Sequence, residues 1–305
     1  MSLTGPRDVE RRMDAAKVTP QSLLAHKRDG TAITALTAYD YPTARLVDEA
    51  GIDLLLVGDS LGMAVLGYGD TLSVTMDEML HHARAVRRAV HRAMVVADMP
   101  YGSYQVSIED TVRNGLRFVK ESGSEAVKLE GGAAQADRVR ALTGAEIPVV
   151  GHIGLTPQSV YRMGGYRVQG RSEAETARLC EDALVLEQAG AIAIVLEGIP
   201  RESAARITSL LTVPTIGIGA GPDCDGQILV FHDVFSLSFR KRPKFVRPFG
   251  DAAELIRNGL DAFRAAVESK SFPSDEESYH MPAPRVVEPQ VFEPAGALGG
   301  HEGKN

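Results

Sequence analysis

The chain has 305 residues, 44% of them apolar and 24% charged, with a formal charge of −7 and two cysteines. This is ordinary globular usage in a chain long enough for one large domain, which excludes a disordered or membrane-embedded class. The acidic balance argues against a nucleic-acid-binding face, and Cys180 and Cys224, in no CxxC pair, are too few for a disulfide framework.

Residues 1–17 are polar and charged, a tail without the apolar segment of a signal peptide. No apolar run in the chain approaches the ~20 residues of a membrane span, so the expected location is the cytoplasm. Thr19-Pro20 opens a short helix that Gly30 closes, with proline at the first helical position and glycine just past the end. Short apolar runs then alternate with longer amphipathic ones. The apolar runs are AITALTAY (32–39), DLLLVGDS (53–60), MVVADMP (94–100), AVKLEGG (126–132), IPVVGHIG (147–154), AIAIVLEGI (191–199), VPTIGIGAG (213–221) and GQILVFHD (226–233). They are almost continuously apolar, as parallel strands covered on both faces require.

The intervening helices carry readable starts. Thr75 with Glu78 and Ser172 with Glu175 form capping boxes; Ser107 caps the run ending at Gly123, and Asp251 with Glu254 starts another helix. The basic stretch Arg84 to Arg92 reads as the solvated face of the helix after Thr75. The alternation predicts a single-domain (β/α)₈ TIM barrel over 18–270, with a doubly wound open sheet as the alternative. Between GIGAG and GQILV there is too little chain for a full helix. Either that crossover is a single turn, or the last strand is KFVRPF (244–249). Residues 271–305, rich in Pro, Gly and charge, read as a flexible tail or an arm that docks on a neighbour.

Polar residues gather at one end of the strand runs: Asp59 and Ser60 on the second, Asp98 on the third, Lys128 and Glu130 on the fourth, His152 on the fifth and Glu197 on the sixth. In a barrel these ends surround one mouth. Asp59, Asp98 and Glu130, brought together bare, would repel one another, and a hard divalent cation such as Mg²⁺ resolves this; the bland alternative is that each caps a helix or pairs with an arginine. Lys128 shares a face with Glu130 and would stabilise an oxyanion or form a structural ion pair. Glu197 follows an apolar run and is the candidate general base. His152 is either a donor to substrate or a satisfied core histidine. GIGAG (217–221) is not a dinucleotide fingerprint. The loop MGGYRVQGR (163–171) reads as an active-site lid or a plain surface excursion.

The segments LTAYDYPTARLVDEAGIDLLLVGDSLGM, VVADMPYGSY, AVKLEGG, VVGHIGLTPQS, GGYRVQGR, IVLEGIP and IGIGAGPDCDGQILV closely resemble the ketopantoate hydroxymethyltransferase family, from about residue 20 to 268. The resemblance implies a TIM barrel of the phosphoenolpyruvate mutase and isocitrate lyase superfamily. It implies transfer of a hydroxymethyl group from 5,10-methylenetetrahydrofolate to α-ketoisovalerate through an enolate stabilised by Mg²⁺, giving ketopantoate on the way to pantothenate. By motif position it implies Asp59, Asp98 and Glu130 at the metal, Asp59, Ser60, Asp98 and Lys128 around the keto acid, and Glu197 as proton acceptor. It also implies a homo-oligomer, a decamer in the family, with small-molecule substrates and no nucleic-acid or membrane partner. The rival readings are a Mg²⁺-dependent carbon–carbon lyase or phosphonate enzyme of the same superfamily and a catalytically silent binding barrel. The absence of a KKCGH-like cysteine loop and the presence of VLEGIP weigh against the first, and the carboxylate set weighs against the second.

Overall fold

The computed structural model describes residues 16–282; most of the N-terminal tail and residues 283–305 lie outside the described part. Eight parallel strands close into a barrel in chain order. They are β1 (Ile33–Thr37), β2 (Leu54–Val57), β3 (Met94–Asp98), β4 (Ala126–Glu130), β5 (Val149–Gly154), β6 (Ala191–Glu197), β7 (Thr215–Ile218) and β8 (Gly226–Leu229). Helix α1 (Pro20–Asp29) precedes the barrel. The crossovers carry α2 (Tyr41–Glu49), α3 (Met76–Ala89), α4 (Ile108–Arg117), α5 (Ala136–Gly144), α6 (Glu173–Gln188) and α7 (Arg201–Leu210), and α8 (Ala252–Glu268) follows.

The helix starts follow their sequence signals. Thr19, Thr75 and Ser172 each cap a helix through a complete capping box, and Ser107 accepts from the Asp110 amide. Helix α2, which the sequence reading did not single out, is capped by Asp40. The crossover between β7 and β8 has no helix. The closing strand is GQILV, pairing with β1 and β7, while 244–249 form no strand; the barrel needs only a short loop to advance by one strand at this point.

Two apolar layers follow from the period of two along each strand. One set of side chains fills the barrel, including Ile33, Ala35, Leu54, Leu56, Met94, Val96, Ala126, Val150, Val195 and Ile216, with Val18 and Leu23 beneath. The other set faces the helices. Continuing the interior parity toward the C-terminal strand ends brings Asp98, Lys128, His152 and Glu197 onto the inner wall, one layer above Val96, Ala126, Val150 and Val195, and Glu130 one layer above Lys128. At the opposite end Asp53 anchors β2 to β1, accepting from the Thr34 amide at 2.9 Å and pairing with Arg92 at 2.6 Å.

The chain divides into two compact units, the first ending at Ala253 and the second beginning at Glu254. The second comprises most of α8 and the segment after it, where the rings of Phe263 and Phe272 meet edge to face with centroids 5.7 Å apart.

Candidate active site

The strand register sets the site. Asp98 pairs with Lys128 across β3 and β4, Glu130 with His152 across β4 and β5, and Gly154 with Glu197 across β5 and β6. Neighbouring residues on the inner wall therefore come from successive strands, and their side chains meet over the barrel interior. Asp98, Lys128, Glu130 and His152 are all buried.

Lys128 is the hub. Its Nζ lies 3.0 Å from Asp98 Oδ1, 3.1 Å from His152 Nδ1 and 3.8 Å from Glu130 Oε1. Burial alone would lower the Lys128 ammonium, but Asp98, Glu130 and Asp59 outweigh it and push it upward, so it stays charged. Asp98 Oδ1, although ion-paired, has no hydrogen-bond partner of proper geometry.

Asp59 follows β2, and its backbone amide donates to Asp98 Oδ2 at 3.2 Å, near enough for the Asp98 charge to act on the Asp59 carboxyl. Burial, then the negative charges of Asp98 and Glu130, raise the Asp59 carboxyl well above the usual range. Asp98 is raised by burial, with Lys128 opposing and Glu130 adding to the rise. Glu130 goes the other way: burial is outweighed by hydrogen bonding to His152 and by the charge of Lys128. With one ammonium and one imidazole for this many acids, the pair Asp59–Asp98 is short of positive charge.

His152 joins the acids to the base candidate. Its Nδ1 is 3.5 Å from Glu130 Oε1 and its Nε2 is 3.2 Å from Glu197 Oε2, the latter contact off the line of a good hydrogen bond. Burial and the Lys128 ammonium oppose charge on the ring, yet Glu130 and Glu197 prevail and lift the imidazolium to about 9. Although Glu197 follows an apolar run, its carboxylate faces this imidazole at the edge of the mouth, with 16% of the side chain exposed.

Ser60 sits apart from the ion pairs, its hydroxyl 2.8 Å from that of buried Tyr39. Two further residues, not singled out from sequence, tie the site together. Gln158 donates to Asp59 Oδ2 at 2.8 Å through Nε2, and its backbone amide donates to Glu130 Oε2 at 2.9 Å. Tyr104 donates to Gln158 Oε1 at 2.6 Å and accepts from the Glu130 amide at 3.2 Å. Their only sequence signal is that each is a polar residue in the connection a few residues after a strand end, which many residues share.

The loop 164–171 reaches the same mouth. Burial and the Asp70 carboxylate raise the Tyr166 phenol, Arg240 opposes, and Asp59 and Glu197 add to the rise. Beside the strand ends a cavity of about 250 Å³ is lined by Gly131, Gly154, Thr156, Arg162, Arg178 and Asp182, among others. A larger groove, about 410 Å³, lies among Arg84, Arg87 and Arg88 of α3 and contains none of the strand-end residues; Arg84 there is paired with Glu121 at 2.7 Å, in keeping with a solvated helix face.

Among the described residues no three His, Cys, Asp or Glu side chains form a metal shell on their own. The adjacent oxygen donors of Asp59 and Asp98 nevertheless suit Mg²⁺, which uses few protein ligands and keeps positions for water and substrate. The residues present thus fit a hard divalent ion and give no support to a zinc-type site.

The sequence model of the family described as ketopantoate hydroxymethyltransferase matches residues 17–275. A 3-methyl-2-oxobutanoate hydroxymethyltransferase of Koribacter versatilis (strain Ellin345) is 61% identical over 267 residues, spanning 88% of this chain and 90% of that one. One of Moorella thermoacetica (strain ATCC 39073 / JCM 9320) is 55% identical, spanning 87% and 98%. Among solved structures, 2,3-dimethylmalate lyase, a member of the PEP mutase/isocitrate lyase superfamily, superposes with a TM-score of 0.55 at 18% identity, covering 87% of this chain and 89% of that one. Phosphonopyruvate hydrolase, solved with oxalate and Mg²⁺, superposes with a TM-score of 0.53 at 16% identity, covering 85% and 92%. At such identities the structures show a shared fold alone, whereas the match over nearly the whole barrel at 61% and 55% identity reaches further: the chain belongs to the ketopantoate hydroxymethyltransferase family.

Proposed function

We propose that this chain transfers a hydroxymethyl group from 5,10-methylenetetrahydrofolate to α-ketoisovalerate (3-methyl-2-oxobutanoate), giving ketopantoate for pantothenate synthesis. The observation that carries the reading is the connected row Asp98–Lys128–Glu130–His152–Glu197 at one mouth, with a buried acid–cation pair at one end and a partly exposed carboxylate at the other.

The acceptor is a small anion whose C3 proton lies next to a keto carbonyl. Removing that proton needs a base at the carbon and positive charge near the keto oxygen. Glu197 is the base: its carboxylate borders the mouth, and His152 holds it in place. Lys128 draws the anion in and faces the charge that develops on its oxygen. Asp59, Asp98 and Glu130 are the residues that would hold Mg²⁺, with Ser60 contacting the keto acid; bound there, the ion would supply Lewis acidity and a template for the keto acid. As the proton passes to Glu197, C3 bonds to the methylene carbon of the donor. Both of the donor's carbon–nitrogen bonds to that carbon break, one as C3 attacks and one as water supplies the hydroxyl oxygen; the proton taken from C3 and one from water end on the two nitrogens, and tetrahydrofolate departs. Closure of the loop carrying Tyr166 would exclude bulk water during proton removal.

No helix among the described residues is long and apolar enough to cross a membrane. A cytoplasmic homo-oligomer, decameric as the family resemblance implies, completes the proposal. The test is an assay of purified protein with α-ketoisovalerate, 5,10-methylenetetrahydrofolate and Mg²⁺. Ketopantoate should form only with all three present, and EDTA should abolish it. No product from the complete mixture would overturn the reading.

A further inference from the structure

The loop after β8 carries a concentration of positive charge that the reaction at the mouth does not use. Arg240, Lys241, Arg242, Lys244 and Arg247 fall within eight residues, and no Asp or Glu occurs between Asp233 and Asp251, in a chain whose net charge is −7. All five side chains are exposed, and among the described residues none of the five takes part in an ion pair within 4.0 Å. Arg240 donates to the carbonyls of Tyr68 and Gly69, and the Arg247 guanidinium lies 4.7 Å from the centre of the Phe249 ring, so both are positioned without being neutralised.

The fold places this loop at the mouth. Phe245 packs directly on Gly219, the residue after β7, where a Cβ would come within 2.7 Å of the ring. Arg240 acts electrostatically on Tyr166, which also feels Asp59 and Glu197. Phe239 and Phe249 are 86% and 64% exposed, adding flat apolar surface beside the cations. Leaving five like charges together on an acidic protein costs self-repulsion, which an anionic occupant at the rim would relieve.

We propose that this loop is a docking track for the poly-γ-glutamyl tail of the one-carbon donor, an acidic peptide whose carboxylates recur along an extended chain. This rests on the reading above that a reduced folate delivers the carbon. The pterin end must enter the mouth to reach the reacting carbon, so a tail attached to its far end leaves across the rim, where the cations stand. Each exposed contact is weak, and several together give a cumulative, salt-sensitive preference.

The test compares the KM of mono- and pentaglutamyl 5,10-methylenetetrahydrofolate for the full-length enzyme and for Lys241→Ala/Arg242→Ala/Lys244→Ala. The wild type should favour the pentaglutamyl form roughly tenfold. That preference should shrink as salt rises from about 0.05 to about 0.5 M, and the triple variant should show a ratio near one, with a thermal melt overlaying that of the wild type to establish folding. Equal KM values in the wild type, or an unchanged preference in the folded variant, would overturn the proposal. If the wild type turns over neither folate, the transfer reading fails instead. Calorimetric titration of γ-linked pentaglutamate peptide onto wild type and variant then decides the docking site directly: salt-sensitive binding lost in the variant supports it, and no binding, or equal binding to both, rejects it.

Discussion

The Nε2 of His152 stands 3.2 Å from Oε2 of Glu197, while Nδ1 of the same imidazole lies 3.1 Å from Lys128 Nζ. One ring therefore separates the buried cation from the base candidate and fixes where the base points. Among the described residues no other side chain is ion-paired with the Glu197 carboxylate.

Two substitutions separate these roles. Glu197→Gln keeps the shape but cannot accept a proton, so exchange of the C3 proton of α-ketoisovalerate in D₂O should fall by about 10³-fold, while Mg²⁺ and keto-acid binding persist. His152→Asn leaves the base present but unpositioned, and exchange should fall by a smaller factor, about 10²-fold. NMR of the exchange reads both. Full exchange in Glu197→Gln would assign the base elsewhere.

Lys128 is the only lysine or arginine paired with the buried acids of the mouth among the described residues. Lys128→Met removes that charge from a buried network and should cost about 3 kcal/mol in the absence of a divalent ion, lowering Tm on the order of 10 °C for a chain of this size. Added Mg²⁺ should raise the Tm of the variant more than that of the wild type, because the uncompensated carboxylates gain more from a cation. Calorimetric scans with and without Mg²⁺ check this, and a variant as stable as wild type in EDTA would contradict the role of Lys128 as internal counterion.

At the opposite end of the barrel, Asp53 makes a pH prediction. Burial would raise its carboxyl, but the Thr34 amide and the Arg92 guanidinium prevail and hold it below the usual carboxylate range. A group depressed in the folded state contributes stability above its unfolded pKa and loses it as pH falls through the folded value. Wild-type stability should therefore decline below about pH 4 in part through Asp53. Asp53→Asn should cost about 2 kcal/mol at neutral pH and flatten that acid limb. Urea melts across a pH series give both quantities, and parallel curves for the two proteins would remove Asp53 from the account.

Gly154 makes the position of Glu197 depend on a hydrogen atom. It ends β5 with φ +93, and a Cβ there would lie 2.3 Å from the Glu197 carbonyl oxygen. Gly154→Ala should lower kcat by about 10²-fold through displacement of the base and cost about 3 kcal/mol from strain and the clash. A crystal structure of the variant with Glu197 unmoved would refute the coupling.

Much of this architecture was legible one segment at a time. Strands buried on both faces read as unbroken apolar runs, and Thr75, Ser107 and Ser172 announced their helices because a cap is satisfied by residues three positions away. The acids and the lysine at the strand ends stood out because charge after a run of Ile, Leu and Val needs partners to be buried. What only the tertiary structure decided is which partners those are. Lys128 between Asp98 and His152, Gln158 bridging Asp59 and Glu130, and Glu197 facing an imidazole rather than apolar walls are contacts between residues of different strands and loops. The choice of GQILV over KFVRPF as closing strand is of the same kind. Local pattern sets whether a side chain points inward; the distance between two inward-pointing groups depends on strand register and closure of the whole barrel, quantities that no short window of residues contains.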